Sequence, residues 1–257
     1  MGVDELYELT GQTALVTGAA QGIGFGIARE LAKAGSRIII GDLNLERANQ
    51  AADDLQAETG REVVALPLDV TDAKSIQDCV SVSIDRFTRV DILVNNAGMH
   101  CEKVGQVSTP EHFNRCFEVN LFGVWRMTLS LVPHFKAHRT GKIVNIASIN
   151  GRIPWADTPA YSASKAAVIN LTRSLAITLG PENINVNAVC PGGVMTAMAD
   201  LFTHNAEDME KEMIRSRVIK RPLFPEDIGH AVVFFASSRA RSITGQALNV
   251  DGGAVMS

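Results

Sequence analysis

Tyr161 and Lys165 stand four residues apart, with Ser162-Ala163-Ser164 between them. On a helix that spacing puts a phenol and an ammonium on one face. An opposite charge within a few Å lowers a phenol pKa of about 10 by roughly 1–3 units, towards a value useful for proton exchange near neutrality. Lys165 would then activate Tyr161, although the same pair standing alone also decorates solvent-exposed helices. A second cluster is Thr17-Gly18-Ala19-Ala20-Gln21-Gly22-Ile23-Gly24, which follows a β-branched run and opens a helical one. Glycines at such a turn permit positive φ and close backbone approach, while the unpaired N–H groups and dipole of a helix N-terminus favour a pyrophosphate. A dinucleotide fits there; without the strand before and the helix after, the glycines would mark only a tight turn. Their spacing, G-x-x-x-G-x-G, departs from the common G-x-G-x-x-G. Asp42 closes the next β-branched run, where a carboxylate can accept hydrogen bonds from an adenosine ribose diol. A 2′-phosphate about 4 Å away would be repelled by roughly 4 kcal/mol at an effective dielectric near 20. That selects NAD over NADP, with Arg47 the one nearby cation. The alternative role for Asp42 is to cap a helix.

These side chains need a scaffold. Short β-branched runs recur at Thr13 to Thr17, Arg37 to Asp42, Val63 to Asp69, Asp91 to Asn95, Gly141 to Ala147, Ile184 to Val189 and Ala247 to Val250. They are mostly apolar, as strands covered on both faces are, and the segments between them are long enough for crossover helices. The chain therefore reads as α/β with a parallel sheet of seven strands. Helical patterns run from Ile23 to Ala34, from Leu45 to Thr59 and from Asp72 to about Phe87, the first two stopping at Gly35 and Gly60. Glu111 to Phe135 and Thr158 to Leu179 differ in carrying apolar residues on more than one side, where a surface helix shows one stripe. Phe113, Phe117, Leu121, Trp125 and Leu129 advance in fours while Phe122, Val124 and Met127 lie at other angles, so either the core or another subunit surrounds them. No repeat or flexible linker divides the chain. One domain, 1–257, is expected, with a Met-rich segment after Pro191-Gly192-Gly193, about 194–221, covering the substrate.

Composition narrows the classes. The chain has 257 residues, of which 46% are hydrophobic and 20% charged, enough to build a core and too apolar for wholesale disorder. Its net charge of −4 comes without long single-sign runs, which argues against nucleic acid and anionic membrane as partners. Cys79, Cys101, Cys116 and Cys190 form no C-x-x-C pair, so neither a disulfide framework nor a zinc site follows from them. No metal is expected; His134-x-x-x-His138 is the nearest approach to a ligand pair and reads as solvent-facing. Asp4, Glu5 and Glu8 stand where a signal peptide needs basic and then apolar residues, and no apolar run reaches the roughly 18–20 residues of a membrane span. A cytoplasmic location is expected.

Taken together, these motifs resemble the short-chain dehydrogenase/reductase family along nearly the whole chain. The turn at Thr17 to Gly24 looks like its cofactor motif, Asp69-Val70 like its adenine contact, and Asn95-Asn96-Ala97-Gly98 like its fourth-strand motif. Asn120, Ser148, Tyr161 and Lys165 fill the four catalytic positions, and Pro191-Gly192 with Val194 and Thr196 is similar to the segment that touches the nicotinamide. The resemblance implies a doubly wound Rossmann sheet ordered 3-2-1-4-5-6-7 with helices on both faces, and NAD held by Gly18, Gln21, Gly22, Ile23, Gly24, Asp42, Asp69, Val70, Asn96, Ala97 and Gly98 together with Tyr161, Lys165 and the 191–196 segment. It also implies roles. Tyr161 would be the acid/base, Ser148 a donor to the substrate oxygen, Lys165 a partner of both Tyr161 and the nicotinamide ribose, and Asn120 the holder of a water linking Lys165 to solvent. A homotetramer built on the two multi-sided helices is implied as well.

The substrate is written more faintly. Ser148, Asn150, Arg152, Trp155 and Tyr161 are the candidate contacts, with His100 a further polar neighbour if it turns inward. Polar groups there would suit a polyol or sugar-like secondary alcohol and its ketone, and would reject analogues lacking the hydroxyls; Asn150 and Arg152 could equally make a surface turn. Two rivals stand beside this reading. One is a 3-oxoacyl-thioester reductase, disfavoured because relatives with that activity commonly use NADPH and carry Arg or Lys in the glycine turn, whereas this turn has Gln21 and the second strand ends in Asp42. The other is an NAD-binding sensor or scaffold, which would have no need of the complete set Asn120, Ser148, Tyr161 and Lys165.

Overall fold

The computed structural model describes residues 8–100, 108–154, 158–196, 211 and 214–256. Its strands are β1 (Thr13–Thr17), β2 (Arg37–Asp42), β3 (Val63–Pro67), β4 (Ile92–Asn95), β5 (Gly141–Ile146), β6 (Ile184–Pro191) and β7 (Ala247–Val250). They form one sheet in the order β3-β2-β1-β4-β5-β6-β7, and every pair is parallel. Side-chain alternation divides these strands between two cores. Ala14 and Val16, Ile38 and Ile40, and Ile92 and Val94 pack with Ile27, Leu31, Leu55 and Val232, whereas Leu15, Ile39 and Leu93 pack with Val80, Met127, Leu131, Phe135 and Leu175. Both faces are thereby dry, which explains why the strands read as nearly continuous apolar runs.

The first core is covered by α1 (Gly22–Lys33), α2 (Leu45–Thr59) and α7 (Pro225–Ala236), the second by α3 (Ala73–Phe87), α5 (Gly123–His138) and α6 (Pro159–Leu179). Helix α7 carries no signal singled out in the sequence, yet it lies closely on α1. A Cβ at Gly26 would stand 2.3 Å from Pro225, and one at Gly229 would stand 2.7 Å from Glu30. Backbone contact of that closeness is available only to glycine.

The continuous helix expected over Glu111 to Phe135 is interrupted. Helix α4 spans Pro110–Phe117, a π-helical turn spans Glu118–Phe122, and α5 then begins at Gly123. Such a turn inserts a residue and shifts the hydrogen-bond ladder, a feature often found at functional sites. Asn120 is its buried residue. On the outer side of this region Phe113, Phe122, Trp125 and Leu129 keep a substantial share of their surface exposed, so the core of one chain does not absorb the apolar surplus. Of the expected cover, 197–210 and 212–213 lie outside the described residues, as does Trp155.

Candidate active site

The chain reverses its winding between β1 and its two neighbours β2 and β4, and at the carboxyl ends of these strands open α/β sheets hold their ligands. Gly18 (φ +64°) and Gly22 (φ +59°) take left-handed conformations that side chains resist. A Cβ at Gly18 would lie 2.8 Å from Ala97 Cα, and one at Gly24 only 2.3 Å from the Gly18 carbonyl oxygen and 2.5 Å from Asn96 Nδ2. The turn is thus pressed against the end of β4. Asn96 Nδ2 donates to the carbonyls of Thr17 and Gly18, both at 2.9 Å, and the Thr17 hydroxyl accepts from the backbone N–H of Asn96 at 3.0 Å and Ala97 at 2.9 Å. Gln21 is the N-cap of α1 but caps nothing with its side chain. Backbone donors of that first turn, around Gly22 and Ile23, remain for an anion, so the cradle fits a dinucleotide pyrophosphate.

Asp42 does not cap α2. Asn44 does, accepting from Arg47 N–H, while Asp42 accepts from the N–H of Ala20 at 3.0 Å and of Asn44 at 3.0 Å. Its carboxylate is therefore anchored to the glycine turn itself. Further along the rim, Asp69 accepts from both the N–H and the hydroxyl of Thr71, and Val70 is buried against Gly123, where a Cβ would come within 2.8 Å of it. Gly98 is bordered by Asn120 Oδ1 and Lys165 Nζ, each 3.3 Å from where its Cβ would be.

The catalytic candidates converge from three elements. Ser148 ends the loop after β5, Tyr161 and Lys165 sit one turn apart near the start of α6, and Asn120 comes from the π-turn. The Ser148 hydroxyl stands beside the Tyr161 phenol, whose charged form it favours, and accepts from Asn150 N–H at 3.1 Å. Lys165 is 5% exposed and donates to the Ile146 carbonyl at 2.8 Å. Its Nζ lies 5.7 Å from the Tyr161 ring centroid. Asn120 accepts from Met99 N–H at 2.8 Å and donates to Met99 O and to the Ser164 hydroxyl, both at 3.0 Å.

The expected acidification of Tyr161 by Lys165 is not what this geometry produces. Burial pushes the phenol up to about 12, with the Ser148 hydroxyl working against it. Burial also pushes Lys165 down to about 8. Desolvation penalises the charged form of each group and is the largest cause for both. At pH 7 the phenol carries its proton.

Pro191 and Gly192 close β6, with Gly192 N–H donating to Val250 O at 3.0 Å. Val194 is buried, and Thr196 reaches back to the glycine turn, its Cγ2 being 3.8 Å from a Cβ at Gly22. The 191–196 segment thus adjoins the pyrophosphate cradle. Among the substrate candidates, Asn150 is half-buried and its carboxamide has no hydrogen-bond partner among the described residues, so it can offer hydrogen bonds to a ligand. Arg152 is a correction. Its guanidinium donates to the Ala247 carbonyl on β7 and reaches the Cys190 thiol, so it ties the loop to the sheet edge instead of entering the pocket. His100, on the other hand, stacks on the Tyr161 ring with centroids 4.5 Å apart.

Among the described residues no group of three or more His, Cys, Asp or Glu is placed to hold a metal. His134 is not solvent-facing as expected: its Nε2 accepts from Val90 N–H at 3.1 Å, and its ring lies 4.4 Å from that of His138. Burial lowers its pKa, in keeping with an unprotonated acceptor. Thr17 and Ser164 were missed as site residues. Thr17 stands at the start of the glycine motif and Ser164 inside the Tyr161-to-Lys165 interval, but nothing in spacing alone reveals that one holds the end of β4 and the other orients Asn120.

With this geometry in view, the comparisons with known proteins agree in kind. A family model described as enoyl-(acyl carrier protein) reductase matches residues 18–255. The uncharacterized oxidoreductase YxjF of Bacillus subtilis (strain 168) is 39% identical over 255 residues, covering 94% of this chain and 97% of that protein. The 7alpha-hydroxysteroid dehydrogenase of Escherichia coli (strain K12) is 33% identical over 248 residues, covering 96% of this chain and 95% of its own length. A crystal structure of gox2181 superposes with a TM-score of 0.91 at 34% identity, covering 97% of this chain and 98% of that one.

Proposed function

The chain belongs to the short-chain dehydrogenase/reductase family, and from that premise we propose that it interconverts a secondary alcohol and its ketone using NAD(H), the alcohol being a polyol or sugar-like hydroxy compound. The observation that carries the reading is the placing of the Ser148 hydroxyl beside a proton-bearing Tyr161, with Lys165 one helical turn beyond. A nicotinamide dinucleotide bound at the glycine turn would supply the hydride acceptor or donor and, when oxidised, a positive charge.

Tyr161 holds a proton at its phenol oxygen at neutral pH, which suits it to protonate a carbonyl oxygen during reduction; in oxidation that proton must first leave by way of Lys165, and the phenolate oxygen then receives the alcohol proton. Ser148 donates to the substrate oxygen and stabilises charge developing there. Lys165, held near neutrality by burial, can pass a proton onward. The Asn120 side chain is spent on Met99 and Ser164, so the task of holding a relay water falls to its backbone within the π-turn.

Asp42, anchored between two backbone N–H groups at the end of β2, supports NAD over NADP. The unpartnered Asn150 carboxamide, in the loop that carries Ser148, supports a substrate with a second hydroxyl beside the reacting carbon. A homotetramer is supported by the exposed Phe113, Phe122, Trp125 and Leu129. The buried cysteines Cys79, Cys116 and Cys190, none in a disulfide, suit the reducing cytoplasm, and no described helix is long and apolar enough to cross a membrane.

The test is a panel of polyols, hydroxy acids, simple secondary alcohols and a 3-hydroxyacyl thioester, followed by reduced-cofactor absorbance with NAD and, separately, NADP. Turnover is expected with NAD and a vicinal-hydroxyl substrate. Tyr161→Phe should abolish it while leaving NADH binding intact; persistent turnover in that variant would remove Tyr161 from its role.

A further inference from the structure

Arg217 is 3% exposed, an unusual position for a cation, because a guanidinium must be fully spoken for when it leaves water. One of its terminal nitrogens donates to the Gly193 carbonyl. The other donates to the Arg221 carbonyl at 2.7 Å. Its stem lies on Gly252, whose Cβ would come within 3.1 Å of Cδ and 3.4 Å of Cγ. The neighbouring Asp251 carboxylate attracts the charge and is itself held by the N–H groups of Gly253 at 2.9 Å and Val255 at 2.8 Å.

Three segments meet at this side chain. The 217–223 strip is sewn to the end of β7 by Val218 and Ile219 N–H groups, which share the Gly252 carbonyl at 3.0 and 2.9 Å. The 191–196 segment is joined to the same neighbourhood by Gly192 N–H to Val250 O at 3.0 Å and Met195 N–H to Leu223 O at 2.9 Å. Between those two ties lie Gly193 and Val194, and the glycine pair at 192–193 places no side chain there to fix the peptide plane. The Arg217 hydrogen bond to Gly193 O sets the orientation of the peptide whose other end is Val194 N–H.

We propose that Arg217 is a positioning residue for cofactor: by gripping the Gly193 carbonyl it holds the Gly193–Val194 peptide in the orientation that receives the nicotinamide carboxamide. This rests on the reading of 191–196 as the nicotinamide-contacting segment. Arg217 acts through that peptide, its two terminal nitrogens being taken by the Gly193 and Arg221 carbonyls. The buried charge has a purpose that an apolar side chain could not serve, since a Met would cover Gly252 equally well but leave Gly193 O unpinned.

The test compares two ligands that share the adenosine diphosphate half and differ in the nicotinamide. NADH and ADP-ribose are titrated calorimetrically into the wild-type protein and into Arg217→Met and Arg217→Lys. For Arg217→Met the expected result is ADP-ribose affinity within twofold of wild type, NADH affinity reduced at least tenfold, and a raised KM for NAD together with a lower kcat. Arg217→Lys, which can bond one carbonyl of the two, should recover part of the NADH affinity. Equal losses for both ligands, or no loss for either, would overturn the proposal, the first by making Arg217 a support of the whole fold. If Arg217→Met does not fold, the ratio of the two affinities in Arg217→Lys decides by the same criterion. Wild-type protein that binds neither ligand would instead overturn the dinucleotide reading, and this inference with it; wild-type binding of both leaves only Arg217 in question.

Discussion

Lys165 points its ammonium at the Ile146 carbonyl, 2.8 Å away, and holds it 5.7 Å from the centroid of the Tyr161 ring. The two groups are neighbours that do not ionise each other: burial keeps the phenol protonated, near 12, and draws the lysine down to about 8. The sign of the resulting pH dependence is definite. Below pH 8 Lys165 is protonated in both folded and unfolded chains and contributes no slope; between about 8 and the unfolded value of 10.5 only the unfolded chain holds that proton, so stability rises with pH. Tyr161 stays largely protonated in both states up to about pH 9.5 and, being present in both proteins compared, adds nothing to their difference. Urea unfolding of the cofactor-free protein should therefore show wild type gaining on Lys165→Met by about 1–2 kcal/mol between pH 8 and pH 9.5. A stability difference independent of pH would mean that Lys165 titrates as an ordinary surface lysine.

The glycine turn can be tested by comparing two glycines with opposite surroundings. At Gly24 a methyl group would meet the Gly18 carbonyl oxygen at 2.3 Å, whereas at Gly60, which ends α2 with φ +66°, nothing lies within 4 Å. Gly24→Ala must displace the turn, at a cost of about 1–3 kcal/mol for overpacking, and should weaken NADH binding at least tenfold. Gly60→Ala carries only left-handed strain, of order 1 kcal/mol, and should bind NADH as wild type does. Equal affinities for NADH in the two variants, read by fluorescence titration, would separate the turn from the cofactor.

Asp42→Asn keeps an oxygen to accept from Ala20 or Asn44 N–H and removes the charge. Since repulsion of a 2′-phosphate is worth several kcal/mol at short range in a partly screened site, the ratio of kcat/KM for NAD over NADP should fall at least tenfold. An unchanged ratio would shift cofactor choice away from Asp42, with the exposed Arg47 the next group to vary.

Much of this arrangement was legible before the fold was seen, for a physical reason. Strands dry on both faces leave unbroken apolar runs, and the sheet order followed from the resemblance that those runs and the glycine turn supported. What stayed hidden depends on contacts distant in sequence. Asn95 reads as part of a motif, yet its amide bonds Asn145 at 2.8 Å, which in turn bonds Thr172 at 2.9 Å, a polar thread through the core that no local pattern announces. The π-turn around Asn120 breaks a periodicity that looks continuous because each half keeps its own apolar stripe. Arg152 and Asn150 look alike as polar loop residues, and only the position of Ala247 separates a structural tie from a pocket group. Spacing reports the charge of Lys165 near Tyr161 but not the loss of water that favours the neutral form of both groups.

Phe122, Trp125 and Leu129 are three and four residues apart, Phe122 ending the π-turn and the other two lying on α5, so their exposed surfaces form one strip, lengthened towards α4 by Phe113. Arg126 covers part of it, its guanidinium 5.7 Å from the Phe122 ring centroid and paired with Glu118 at 2.9 Å. A contiguous apolar strip with a charged border is the composition of an interface core and rim. The expected occupant is the same strip of a second copy, related by a two-fold axis, as one contact of a homotetramer. Trp125→Glu with Leu129→Glu would place two carboxylates per subunit opposite two more, uncompensated and desolvated on association, which costs several kcal/mol. Light scattering at micromolar concentration should then show wild type near four times the chain mass and the double variant at half that or less. Its far-ultraviolet circular dichroism should be unchanged, because both side chains face away from the core. Wild type at the mass of one chain would contradict the tetramer, and a double variant that remains tetrameric would move the contact to another face.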